Sequence, residues 1–116
     1  MNAQELHDKL APLQEKQGYF FNAGDPALVR ELLEMLLANK ARYGHMACPC
    51  RLASGDYQLD RDIICPCVYR NPDVAEFGVC YCGLYVSREW NDGQIPKRVV
   101  PERRPAEKTL ATLGLG

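Results

Sequence analysis

Cys48-Pro49-Cys50, fourteen residues, Cys65-Pro66-Cys67, twelve residues, Cys80-Tyr81-Cys82: this stretch holds every cysteine of the 116-residue chain, as three i, i+2 pairs. Residues 1–47 and 83–116 contain none. Thiols grouped so tightly, and kept out of everything else, point to metal or redox chemistry rather than to packing. Three readings compete: an iron–sulfur site, a zinc site and a disulfide framework.

Zinc sites built from four cysteines carry C-x2-C to C-x4-C knuckles. Every pair here is C-x-C, and there are six thiols where zinc needs four. A [4Fe–4S] cluster also takes four thiolates and leaves two over. Two spare thiols beside a one-electron centre suit a disulfide-reducing site. Six cysteines make fifteen possible pairs, and nothing in their spacing selects one.

Length and charge narrow the setting. A chain of 116 residues has room for one domain, and with 47% apolar residues it can build a core. A formal net charge of −1 gives no electrostatic support to nucleic-acid or membrane-surface binding. Met1–Lys9 is polar, without the apolar core of a secretory signal. The most apolar run, Leu28–Leu37, is interrupted by Arg30, Glu31 and Glu34, so it does not suit a bilayer. These features predict a cytoplasmic protein, a compartment in which structural disulfides are uncommon.

Outward from the cysteines, two helices precede the first pair. Residues 2–17 read as a helix with an Asn2/Glu5 capping box, a Leu6, Leu10, Leu13 stripe and a kink or break at Pro12. Tyr19-Phe20-Phe21 reads as core. Asp25 and Pro26 open the strongest helix, in which Leu28, Val29, Leu32, Leu33, Met35, Leu36 and Leu37 recur at helical spacing, with Gly44 as its stop. Met35 belongs to that stripe as core.

Between and after the cysteines the signals are shorter. Ser54-Gly55-Asp56 marks a turn, and Ile63-Ile64 returns the chain to the interior. Asn71-Pro72-Asp73 starts a turn or helix, residues 83–86 form a short apolar run, and Trp90–Gly93 reads as a surface turn. From Ile95 onward, prolines and alternating charges predict extended, weakly structured chain. The predicted division is one domain over 1–96 and a basic C-terminal tail over 97–116.

The order C-P-C, C-P-C, C-x-C, preceded by an aromatic turn and an amphipathic helix, resembles the catalytic chain of ferredoxin:thioredoxin reductase over residues 19–86. The resemblance implies a small, mainly α-helical domain with a minor β part, folded around a [4Fe–4S] cluster. It implies that Cys48, Cys65, Cys67 and Cys80 bind the cluster and that Cys50 and Cys82 form the redox-active disulfide. Cys50 would be the more exposed thiol that attacks the target, and Cys82 the one that interacts with the cluster. Implied partners are a ferredoxin or another low-potential donor such as a rubredoxin-like protein, a thioredoxin or thioredoxin-like target, and a small companion subunit. From about −400 mV for a plant-type ferredoxin to about −270 mV for thioredoxin, the drop of about 130 mV supplies about 6 kcal/mol for two electrons.

Two departures mark a divergent branch with its own donor or target. The family's third motif is C-H-C, whereas Tyr81 stands in the middle here, and the second and third motifs are further apart. A phenol near pKa 10 is a poor proton shuttle at neutral pH, which raises His45 as a substitute imidazole. His7 reads as a surface residue. Arg51, Arg61 and Arg70 flank the pairs as solvated charge or as a docking face for an acidic donor, and Tyr57, Tyr69, Tyr81 and Tyr85 read as a shield. Two rival functions stay open: an iron–sulfur electron carrier without disulfide chemistry, and a zinc-binding interaction module.

Overall fold

Two capped helices supply the platform on which the cysteine segments rest, as seen in a computed structural model that describes residues 1–115. Gly116, the end of the expected tail, lies outside the described residues. Helix α1 spans Ala3–Glu15, and the Asn2 side chain accepts from the Glu5 backbone N–H at 2.9 Å. Such a cap is worth about 1 kcal/mol. Pro12 is accommodated inside α1 without splitting it.

Helix α2 spans Pro26–Tyr43. Asp25 accepts from Leu28 N–H at its start, and Gly44 closes it in the left-handed conformation at φ 85°. Val29, Leu32, Leu33 and Leu36 are its buried face, packed with Leu6 of α1 and with Val74, Leu84 and Tyr85. Burying each large aliphatic side chain contributes about 1.5–3 kcal/mol, which is what anchors the platform.

Two apolar residues depart from their predicted places. Leu13 and Met35 are exposed, because the i, i+4, i+8 face of α1 runs Leu6, Leu10, Gln14 and position 35 falls beyond one edge of the Val29, Leu32, Leu33, Leu36 stripe of α2. Gln14 is buried without a polar cost because Arg70 Nη1 donates to its Oε1 at 2.5 Å.

About half of the chain is helical, with a minor two-stranded sheet. Strand β1 (Phe20–Phe21) pairs antiparallel with β2 (Tyr85–Val86), Phe20 opposite Val86 and Phe21 opposite Tyr85. Shorter elements fill the rest: α3 (Tyr57–Asp60) with a following 3-10 turn, α4 (Arg70–Phe77), α5 (Arg88–Asn91) and α6 (Ala106–Thr112). The radius of gyration, 14.2 Å, is close to the roughly 13 Å of a compact chain this long. No helix among the described residues is long and apolar enough to cross a membrane.

Two further departures lie after the last cysteine. Trp90, read as part of a surface turn, is buried with Phe77, Val79 and Val86, because Ser87 caps α5 and turns the indole inward. The segment read as weakly structured is tied down. Ile95 and Val100 pack on the Trp90 cluster, Arg98 Nη2 donates to the Glu76 carbonyl, and Arg103 pairs with Asp73 and Glu76. Arg104 is buried, bonded to Asp62 and to the carbonyls of Leu52 and Leu59. Residues 97–105 therefore form a strap across the domain, and α6 follows where composition predicts extended chain.

Candidate functional site

The first two C-P-C segments are loops, and backbone hydrogen bonds fasten one to the other. Cys48 N–H donates to the Ile63 carbonyl at 2.7 Å, and Cys65 N–H to the Met46 carbonyl at 2.8 Å, around an antiparallel bridge of Ala47 with Ile64. α2 reaches this point directly, since Asn39 Nδ2 donates to the Ala47 carbonyl at 2.8 Å. The third pair occupies the tip of a turn closed by Cys80 N–H to the Tyr85 carbonyl and by Gly83 N–H to the Cys80 carbonyl, both 2.9 Å. Asn22 holds that tip from below: its side chain donates to the Gly83 carbonyl and its backbone N–H to the Leu84 carbonyl.

These three segments bring the thiols together. Cys48, Cys65, Cys67, Cys80 and Cys82 line one cavity of about 20 Å³, walled by Leu32, Leu84, Pro49, Pro66 and Tyr85. Cys50 is absent from that lining. It is exposed, and with Cys82 it lines a groove on the outside that also includes Val99 and Val100 of the strap. Cys80 and Cys82 thus face both spaces. The Cys48 and Cys82 sulfurs lie 2.8 Å apart.

Electrostatics separates the same thiols. Hydrogen bonding with Cys48, and then with Cys82, holds the Cys50 thiol down at about 4. Cys82 is pushed up by its hydrogen bonds with Cys48 and Cys50 and by burial. Burial likewise raises Cys65, Cys67 and Cys80. Ionising those buried thiols requires a compensating positive charge, which a bound metal supplies.

The donor set fits an iron–sulfur group. It consists of soft sulfur ligands in a wall that is apolar apart from Arg51 and the tyrosines, with no carboxylate or imidazole among the cavity residues. The buried Tyr85 hydroxyl, on the cavity wall, has no hydrogen-bond partner among the described residues. An acceptor within the cavity would satisfy it.

Other predicted site residues fall differently. His45 does not line the cavity; its Nε2 bonds Asp60 Oδ2 at 2.8 Å, and Asp60 is fully buried. His7 lies partly exposed beside the Phe21 ring. Tyr57 is exposed, whereas Tyr81 and Tyr85 line the cavity and Tyr69 bonds Asp62. Arg51 and Arg70 are buried rather than solvated, Arg70 over the Tyr19 ring at 3.8 Å, while Arg61 stays exposed. Glu102, Asn22 and Gln14 escape a sequence reading. Their partners are 51, 61 and 56 positions away, beyond the reach of any local period.

Apart from the cysteines, Arg51 has the only side chain among the described residues that hydrogen-bonds a thiol. Its Nη1 donates to Cys67 Sγ at 3.4 Å and stands 3.8 Å from Cys48 Sγ. The Tyr69 and Tyr81 rings cover it at 4.9 and 4.6 Å.

No curated protein matches the chain. A family model described as ferredoxin thioredoxin reductase catalytic beta chain matches residues 2–107, nearly the full length. With three paired cysteines gathered at one apolar cavity and one thiol left outside, the chain belongs to the ferredoxin thioredoxin reductase catalytic beta chain family.

Proposed function

We propose that the protein is a disulfide reductase in which Cys48, Cys65, Cys67 and Cys80 hold a [4Fe–4S] cluster and Cys50 and Cys82 are the redox pair. The observation that carries this reading is the exclusion of Cys50 from a cavity that the other five thiols line. A cluster bound there supplies electrons singly, from a ferredoxin or a comparable low-potential donor.

The chain's own residues account for the thiol chemistry. Cys50 is exposed and its thiol is held well below the usual cysteine range, so its sulfur attacks a disulfide of a thioredoxin-like target, one target sulfur leaving as thiolate. Cys82 then attacks Cys50 in the mixed disulfide. The target departs as a dithiol and the Cys50–Cys82 disulfide is left. Two electrons and two protons restore both thiols. Burial of Cys82 between cavity and groove suits it to this second role, since it meets Cys50 but not the bulk target. Tyr81 stacks on Arg51 and lines both spaces, a wall rather than a proton carrier.

The test is a brown protein with four irons per chain, which reduces an oxidised thioredoxin when given reduced ferredoxin. A colourless protein with one zinc would sink the reading. Iron with electron transfer unaffected by loss of Cys50 and Cys82, and no disulfide reduction, would make it a carrier.

A further inference from the structure

The Arg51 side chain is only 2% exposed, and its counter-ion comes from the strap. Nη2 meets Glu102 Oε1 at 2.7 Å, and Nε reaches both carboxylate oxygens at 3.0 Å. The Arg104 backbone N–H donates to the same carboxylate at 2.8 Å, which sets its orientation. A guanidinium has a planar fork of donors, and here one edge grips Glu102 while Nη1 faces Cys48 and Cys67.

We propose that Glu102 is a positioning residue that presses the Arg51 guanidinium onto the Cys48 and Cys67 sulfurs, making the strap part of the redox site. The proposal rests on the reading that those two cysteines are cluster ligands. Hydrogen bonds to ligand sulfur and nearby positive charge favour the more negative, reduced state, so Arg51 raises the cluster's midpoint potential. Glu102 acts in two opposing ways. Its own negative charge lowers the potential, and its grip on Arg51 raises it. The guanidinium is in direct contact with sulfur, while the carboxylate stands behind it, so the nearer charge dominates.

The sign therefore identifies the role. In iron-loaded protein, redox titration followed by visible absorbance or electron paramagnetic resonance gives the midpoint potential directly. Glu102→Ala shifts it downward, in the same direction as Arg51→Gln, with iron content and circular dichroism unchanged. In an Arg51→Lys background, which keeps the charge but lacks the fork, Glu102→Ala no longer lowers it. A rise or no change in Glu102→Ala overturns the inference, as does an undiminished fall in the Lys background. Should Arg51→Gln shed iron, the Lys background decides alone. Wild-type protein without iron overturns the cluster reading and this inference together, whereas iron with the wrong sign overturns only the inference.

Discussion

Cys48 and Cys82 meet with their sulfurs 2.8 Å apart, although they belong to the first and third motifs. Cys50, two residues from Cys48, stands outside their shared cavity. Position two along one short loop thus separates an enclosed thiol from an accessible one. Cys50→Ser is expected to abolish disulfide reduction and leave iron content unchanged. Cys82→Ser should instead accumulate a mixed disulfide between Cys50 and the target, seen by mass spectrometry. Loss of iron in Cys50→Ser would mean that the ligand set is wrongly divided.

Val99 is 92% exposed and lines the groove beside Cys50, while its neighbour Val100 turns inward onto the Trp90 cluster. An exposed apolar side chain next to Cys50, the proposed attacking thiol, is suited to contact the target. Val99→Asp should raise KM for the target about 3–10-fold, roughly 1 kcal/mol of lost contact, with kcat retained. Steady-state rates across target concentration separate the two constants, and a fall in kcat alone would place Val99 outside the docking surface.

The strap carries its own pH dependence. Burial would raise the Asp62 carboxyl, but the Tyr69 hydroxyl and the Arg104 guanidinium overcome it and hold the group below the usual carboxylate range. Glu102 is likewise held low against burial, chiefly by Arg51. For carboxylates lowered on folding, the stabilisation is present above their unfolded values, about 3.9 and 4.3, and is lost as pH falls through the folded ones. Lys97 lies 4.3 Å from the ring of Trp90, the sole tryptophan, so its emission reports on the strap. Emission should hold from pH 7 to about 4 and change only below that.

Arg104 and Asp62 form a buried pair, and removing one member leaves the other uncompensated. Arg104→Ala should cost about 3–5 kcal/mol in denaturant unfolding. A cost under about 1 kcal/mol, the range of exposed pairs, would show that the strap does not bear on the body of the fold.

Gly78 ends α4 at φ 79°, and a Cβ there would overlap Ile95 Cδ1 and lie 3.2 Å from Trp90 Cδ1. Backbone strain and overpacking act together, so Gly78→Ala should lower stability by about 1–3 kcal/mol. Equilibrium denaturation checks it, and a neutral result would mean that Ile95 moves aside freely.

Much of the platform is legible along the chain. Asn2, Asp25 and Gly44 act where their local hydrogen bonds and backbone conformations put them, and the Val29, Leu32, Leu33, Leu36 stripe follows from helical period. Met35 and Leu13 show where period runs out, because a stripe has edges that only the packed neighbour defines. Trp90 shows the same limit in reverse: a turn-like sequence does not reveal that a cluster waits for the indole.

The grouping of all six thiols into three C-x-C pairs is a property of the sequence, and it alone points to sulfur ligation and redox chemistry. Which thiols face one another, and which stands outside, is decided by backbone bonds between Cys48 and Ile63, Cys65 and Met46, and Cys80 and Tyr85. The partnership of Arg51 with Glu102 is likewise tertiary. A buried charge must find an opposite charge, but covalent order does not say where along the chain it will be found.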